Sequence, residues 1–169
     1  MGRRFFLSRP IPSDWNDDRE FVRGQVFFVD FRNETPMTGR PSRLIRGPHR
    51  AVVLFESTYP RNTVVVVPIS SLYDESGERK ETISSDVELK SVEYPDAFIT
   101  EDSFIMTNQI TSVTRSRLER KVGEIKPKDM IKLDIQLIST LRLNETIQGM
   151  IEMEVSKRLE NIGIVQEEA

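Results

Sequence analysis

Two valine-rich runs dominate the pattern of apolar and polar positions along the chain. They are Arg50–Glu56 (RAVVLFE) and Thr63–Ser70 (TVVVVPIS), separated by the polar stretch from Ser57 to Asn62. Short apolar runs bounding a brief polar link predict two antiparallel neighbours in one sheet. Gln25–Phe31 (QVFFVDF), rich in valine and phenylalanine, predicts a third strand. Asp86–Leu89 predicts a short strand, and Ser103–Val113 (SFIMTNQITSV) a longer, bent one. From Pro127 onward the period changes. Met130, Ile131, Leu133, Asp134, Leu137, Ile138 and Leu141 give the spacing of a helix with a broad apolar face. Pro127 suits its first turn, and Asp129 sits near the positive end of its dipole. A second amphipathic helix is expected over Glu145–Ile162, with Ile147, Met150, Ile151, Val155 and Leu159 on one stripe and Gly163 as its C-terminal cap. Met106, Met130 and Met150 are expected to fill core space. The pattern as a whole is α+β and mainly β, a small, strongly bent β-structure followed by C-terminal helices.

The punctuation between these runs sets the organisation. Pro10 and Pro12 forbid a long helix near the start, so residues 1–22 are expected to form an N-terminal extension. Trp15, the sole tryptophan, lies there among Asp14, Asp17 and Asp18. Residues 23–144 make the body, and residues 145–169 a helical extension. Arg32–Pro48 reads as a long loop, broken by Pro36, Gly39, Pro41, Gly47 and Pro48, and a loop of that length in a compact domain is usually functional or mobile. Leu72–Ser85 is charged and reads as an exposed loop.

Composition narrows the classes. A chain of 169 residues is long enough to bury one core unaided. It has no cysteine, so disulfides and cysteine-held metals are ruled out. No apolar run reaches membrane-spanning length, and Arg9 and Pro10 interrupt the short apolar start too early for a secretory leader. A soluble, cytoplasmic protein with no cofactor or metal is the expectation. The formal net charge of −3 argues against a generally basic nucleic-acid binder. Its distribution says otherwise locally: Thr35 to Phe55 holds no acidic residue but carries Arg40, Arg43, Arg46 and Arg50. Such an arm suits phosphate, because affinity follows local neutralisation; the plainer alternative is a solvated loop paired with nearby acids. His49, the only histidine, precedes Arg50, and Ser70 and Ser71 end the second valine-rich run.

In order along the chain, several segments resemble the MazF/PemK toxins. Arg23–Phe31 (RGQVFFVDF) resembles that family's R-G-D-V-Y-W-V-D-L, GPHRAVVLFE its G-x-R-P-A-L-V-I, and TVVVVPISS its T-V-I-V-A-P-L-T-S. SFIMTNQI is similar to S-V-I-L-L-E-Q-I, while Ser116-Arg117-Leu118, Lys121–Ile125 and the run DMIKLD are similar to S-R-L, K-I-G-x-L and D-M-x-K-V-D. The matches run from Arg23 to about Leu143. The resemblance implies a small SH3-like, CcdB-like β-barrel, often a homodimer, acting as an endoribonuclease in a toxin–antitoxin pair. It implies metal-independent cleavage of single-stranded RNA, the 2′-hydroxyl attacking the adjacent phosphate to leave 2′,3′-cyclic phosphate and 5′-hydroxyl ends. A cognate antitoxin is the implied partner.

Carried over residue by residue, the family's catalytic arginine falls on His49 and its catalytic threonine on Ser70. A one-residue shift gives Arg50 the arginine's place instead. His49, Ser70 and Arg50 are therefore the candidate catalytic residues, and Arg40, Arg43, Arg46, Ser71 and Gln109 the candidate RNA contacts. Asn108 replaces the family's glutamate. The chemistry needs a base, a proton donor and positive charge. Histidine, with an ordinary pKa near neutrality, serves as base; guanidinium forks fit phosphate oxygens; serine keeps the hydroxyl. Against this stand the plainer readings of a structural histidine beside a proline, a strand-end serine bonded to backbone and a structural glutamine. Two other functions stay open: a non-catalytic module of the same fold acting on RNA or a protein, as the related CcdB toxins act on gyrase, and an oligomer-building role for the last helix.

Overall fold

The computed structural model describes residues 19–31, 44–57, 62–94 and 98–161. Its elements, in chain order, are β1 (Gln25–Phe31), β2 (Gly47–Ser57), β3 (Thr63–Ser71), β4 (Val87–Leu89), β5 (Ser103–Ile105), β6 (Thr111–Thr114), β7 (Leu118–Glu124), α1 (Pro127–Thr140) and α2 (Asn144–Asn161). The strands form one antiparallel sheet in the order β4-β5-β3-β2-β1-β7, with β6 also paired to β3. The two valine-rich runs are the central pair, with Val52 opposite Val67 and Ala51 opposite Pro68.

Burial on both faces explains the composition of these strands. Both faces of the sheet are covered, so β2 carries the unbroken buried run Ala51-Val52-Val53-Leu54 instead of an apolar–polar alternation. One face holds Val26, Val52, Leu54, Val67 and Ile69 and packs on Leu133 and Leu137 of α1. The other holds Phe27, Val29, Ala51, Val53, Val64 and Val66, closed by Phe21, Val113 and Leu118. Phe21 lies within the stretch expected as extension; its ring packs on Phe27, and the Arg19 guanidinium beside it donates to the carbonyl oxygens of Leu118 at 2.6 Å and Glu119 at 2.8 Å. Arg115 stacks on the same ring and pairs with Glu56.

Three expectations are corrected and one strand is added. The segment 103–113 is two strands, not one, with a 3-10 turn over Thr107–Gln109 between them. Buried Thr107 fixes the break by donating to the Ser85 carbonyl at 2.8 Å. As a result β5 pairs the end of β3 and β6 its beginning. The strand β7 had no apolar signal, because on this edge strand only Leu118 is buried. Second, the sheet curls without closing as a barrel: β4 and β7 end the pairing order and are not joined among the described residues. Last, the helices bury less than their periodicity suggested. In α1 Leu133 and Leu137 are buried while Ile131 is exposed, as is Leu141 just past its end. In α2 the expected stripe faces solvent, with Met150, Ile151, Val155 and Leu159 all exposed. Gly163 and Trp15 lie outside the described residues. No helix is long and apolar enough to cross a membrane.

Candidate active site

The end of the central hairpin is where the polar residues gather. The β1–β2 register sets His49 opposite Val29 and Arg50 opposite Phe28, and the β2–β3 ladder sets Arg50 opposite Ile69. Continued by one residue, that ladder brings His49 and Ser70 side by side on one face, and it turns Arg50 to the other face with Phe28 and Ile69. Ser70 is in turn opposite Phe104 of β5. His49 and Ser70 thus share a cleft of about 590 Å³ whose walls include Arg46, Lys80, Phe104 and Met106. Arg50 and Ser71 line the adjoining hollow, which also borders His49, Ser70 and Lys80. The cleft therefore wraps around the strand ends, and Arg50 reaches it from the far side.

Lys80 is the residue that sequence reasoning missed. It lies in the charged stretch expected to be a solvated loop, and nothing in the string GERKE separates it from surface charge. The loop folds back on itself instead. Asp74 Oδ1 accepts from the amides of Ser76 at 2.9 Å and Glu78 at 3.0 Å, Gly77 turns the chain at a φ of +86°, and Tyr73 bridges Arg79. An Asx-type turn followed by glycine was the available signal. The Lys80 amide then donates to the Leu72 carbonyl at 2.8 Å, which returns its side chain to the end of β3. There the half-buried ammonium donates to Ser70 Oγ at 3.3 Å.

The electrostatics of His49 follow from this packing. Burial pushes its pKa below the ordinary imidazole value. A hydrogen bond to the Arg46 backbone carbonyl acts in the opposite direction, and the charges of Lys80 and Arg50 depress it further. The ring therefore donates one N–H to a fixed carbonyl, which sets the tautomer and leaves the second nitrogen with a free lone pair at neutral pH. A neutral imidazole, a hydroxyl and an ammonium are gathered within one cleft.

The remaining sequence candidates divide. Ser71 Oγ accepts from the Tyr73 amide at 3.1 Å and so fixes the start of the Lys80 loop. Gln109 Oε1 accepts from the Ile45 amide at 2.7 Å, tying the chain that leads into β2 to the turn before β6. Arg46 stands between the His49 cleft and a second hollow beside Gln109 and Arg117. Arg40 and Arg43 lie outside the described residues. Among the described residues no group of three or more His, Asp or Glu side chains is placed to hold a metal ion.

Comparison with known proteins places the chain in a family. The profile of the PemK-like, MazF-like toxins of type II toxin–antitoxin systems matches residues 22–141, which hold the whole sheet, the cleft and α1. No curated protein matches the chain in sequence. Among solved structures, a MazF toxin from Mycobacterium tuberculosis aligns with a TM-score of 0.50 at 11% identity, covering 71% of this chain and 98% of that one. MazF from Deinococcus radiodurans aligns at 0.49 and 17% identity, covering 70% and 94%. An endoribonuclease in complex with its cognate antitoxin, from a mycobacterial species, aligns at 0.47 and 19% identity, covering 72% and 95%. The match over most of the sheet-bearing chain establishes that this protein belongs to the PemK-like, MazF-like toxin family of type II toxin–antitoxin systems.

Proposed function

We propose that the protein is a metal-independent endoribonuclease that cuts single-stranded RNA by transphosphorylation, with His49 as base, Lys80 as charge and proton donor, and Ser70 as the hydroxyl that orients the phosphate. The observation that carries this reading is the convergence of His49, Ser70 and Lys80 in one cleft, with the ammonium on Ser70 Oγ at 3.3 Å. The free imidazole nitrogen takes the proton of the RNA 2′-hydroxyl as O2′ bonds to phosphorus. Lys80 and the Ser70 hydroxyl bond the phosphorane oxygens, where negative charge builds, and Arg50 and Arg46 add positive potential from the rims. The bond from phosphorus to O5′ then breaks, and Lys80 gives a proton to the departing oxygen. The products are a 2′,3′-cyclic phosphate and a 5′-hydroxyl, and His49 and Lys80 return to their starting states by proton exchange with water. Every proton and charge in this scheme is supplied by side chains, so no metal is required.

Family membership supports the wider setting: a homodimer in the cytoplasm, held inactive by a cognate antitoxin. An acidic, initially disordered peptide segment laid across the arginine arm suits that role. In the test, the pure protein is incubated with a long single-stranded RNA in EDTA, beside His49→Ala, Ser70→Ala and Lys80→Ala. Cut ends are mapped and assayed for cyclic phosphate. Site-specific cutting by wild type, lost in His49→Ala and Lys80→Ala, is expected. Intact RNA with a folded wild-type protein would refute the nuclease and leave a binding module.

A further inference from the structure

A second polar hollow adjoins the His49 cleft and plays no part in the scheme above. It encloses about 320 Å³ and is lined by Phe31, Arg46, Asn108, Gln109, Val113 and Arg117 among others, with no carboxylate among the described lining residues. Arg46 precedes β2, whereas Arg117 ends the 3-10 turn that leads into β7, so two distant segments each deliver a guanidinium to one place. Both are held with buried N–H groups unanswered: Arg46 Nε and Arg117 Nη2 have no hydrogen-bond partner among the described residues. An unanswered guanidinium N–H is costly, and an anion entering the hollow between these two arginines would offset that cost. Two guanidinium groups lining one hollow match the oxygens of a phosphodiester.

We infer that this hollow is a second phosphate subsite, in which Arg46 and Arg117 grip the phosphodiester next to the one cut beside His49 and Ser70. It rests on the RNA-cleavage reading and deepens it. Arg46 lines both hollows, so a strand whose reacting phosphate lies at Ser70 passes Arg46 on its way into the second one. Gln109 holds the wall between them through its bond to the Ile45 amide. Arg117 is thereby a binding residue that fixes where along the strand the cut falls.

The experiment measures binding apart from cleavage. The probe is a short, fluorescein-labelled 2′-fluoro single-stranded RNA, which lacks the attacking hydroxyl, and anisotropy is followed across a salt series with the full-length protein. Each phosphate contact contributes about −0.7 to the slope of log K against log salt for a single strand. Arg117→Gln is expected to weaken binding about tenfold and to flatten the slope by about 0.7. Arg117→Lys, which keeps the charge, is expected to recover the slope. Arg117→Met, which removes the same charge with a different side chain, reports on the same site should Arg117→Gln fail to fold. An unchanged slope in folded Arg117→Gln overturns the subsite, and if long RNA is still cut, the nuclease reading stands without it. Slope loss with no cutting of long RNA keeps the subsite and removes the nuclease. A hollow that takes an acidic peptide but leaves the RNA slope untouched by Arg117→Gln likewise overturns the proposal.

Discussion

Replacing Lys80 by methionine tests the cleft most sharply, because the unbranched stem is kept as far as Cε and the ammonium is lost. In the structure that ammonium is half-buried, donates to Ser70 Oγ at 3.3 Å and borders both halves of the cleft. Removing one preorganised donor from a developing oxyanion costs about 2.7–4 kcal/mol in a closed site. This cleft is open to solvent, so the low end applies, and a loss of about 2–3 kcal/mol corresponds to roughly 30–150-fold in rate. The loss belongs to the transition state, where charge builds on the phosphorane, so kcat falls while KM changes little. Single-turnover cleavage of a defined RNA gives the rate, and Lys80→Arg, with charge but a bulkier fork, is expected to fall between. A second readout is independent of chemistry. Lys80 helps hold the His49 pKa down, so the imidazole titration followed by proton NMR moves upward in Lys80→Met. It stays below the ordinary value, because burial is the larger cause. A rate within threefold of wild type, with an unmoved His49 titration, refutes the assignment of Lys80 to the cleft.

Other expectations follow from single contacts. His49 is uncharged in the folded protein below the pH where a free imidazole protonates, so the acid limb of the cleavage profile is expected below pH 6.5. The same depression destabilises the fold as pH falls from 6.5 through the lowered value, and denaturant melts across that window measure it. Gly123 packs against the Phe98 ring so closely that no room is left for a side-chain carbon. Gly123→Ala is expected to cost about 1–3 kcal/mol in urea unfolding, by forcing that buried ring off its seat. Tyr94 donates to buried Asp129 at 2.7 Å, and burial together with that carboxylate raises the phenol pKa. Tyr94→Phe strips a donor from a buried acceptor and is expected to cost about 1–3 kcal/mol by the same assay. Glu56→Gln breaks the largely buried pair with Arg115 and is expected to cost about 2–3 kcal/mol, less than a fully buried pair because both partners keep some water.

Strand positions were legible wherever apolar residues recur, and the site was legible only where it lies on those strands. Gln25–Phe31 and Thr63–Ser71 come out almost as the valine and phenylalanine pattern placed them, since burial on both faces demands such runs. β7 escaped because an edge strand of the composition LERKVGE buries one side chain and takes its conformation from β1, a partner distant in sequence. The helices show the converse limit: periodicity in α1 and α2 says which residues can share a face, but packing decides which face finds a neighbour. Ile131 and Met150 have the spacing and stay exposed.

The catalytic candidates obey the same division. His49 and Ser70 were visible as the polar ends of two strands, and the cross-strand register makes them neighbours; the same register separates His49 from Arg50, as alternation along one strand requires. Lys80 was hidden because its position depends on a turn held by Asp74 and on the path of a loop between strands. The resemblance implies an arginine, a permanent cation, where this chain carries His49, and in the proposed scheme a histidine there changes what the site must provide. A base that is neutral at working pH no longer brings charge to the phosphate, so charge has to arrive from elsewhere. Lys80 brings it to the same hydroxyl that His49 faces. In the proposed scheme Lys80 is thus the residue that supplies the charge a neutral His49 does not bring. The coupling is testable as a pair: placing arginine at position 49 should make the Lys80→Met loss smaller than it is with histidine there. An equal loss in both backgrounds would mean that Lys80 and position 49 act independently, and that compensation is the wrong account of this cleft.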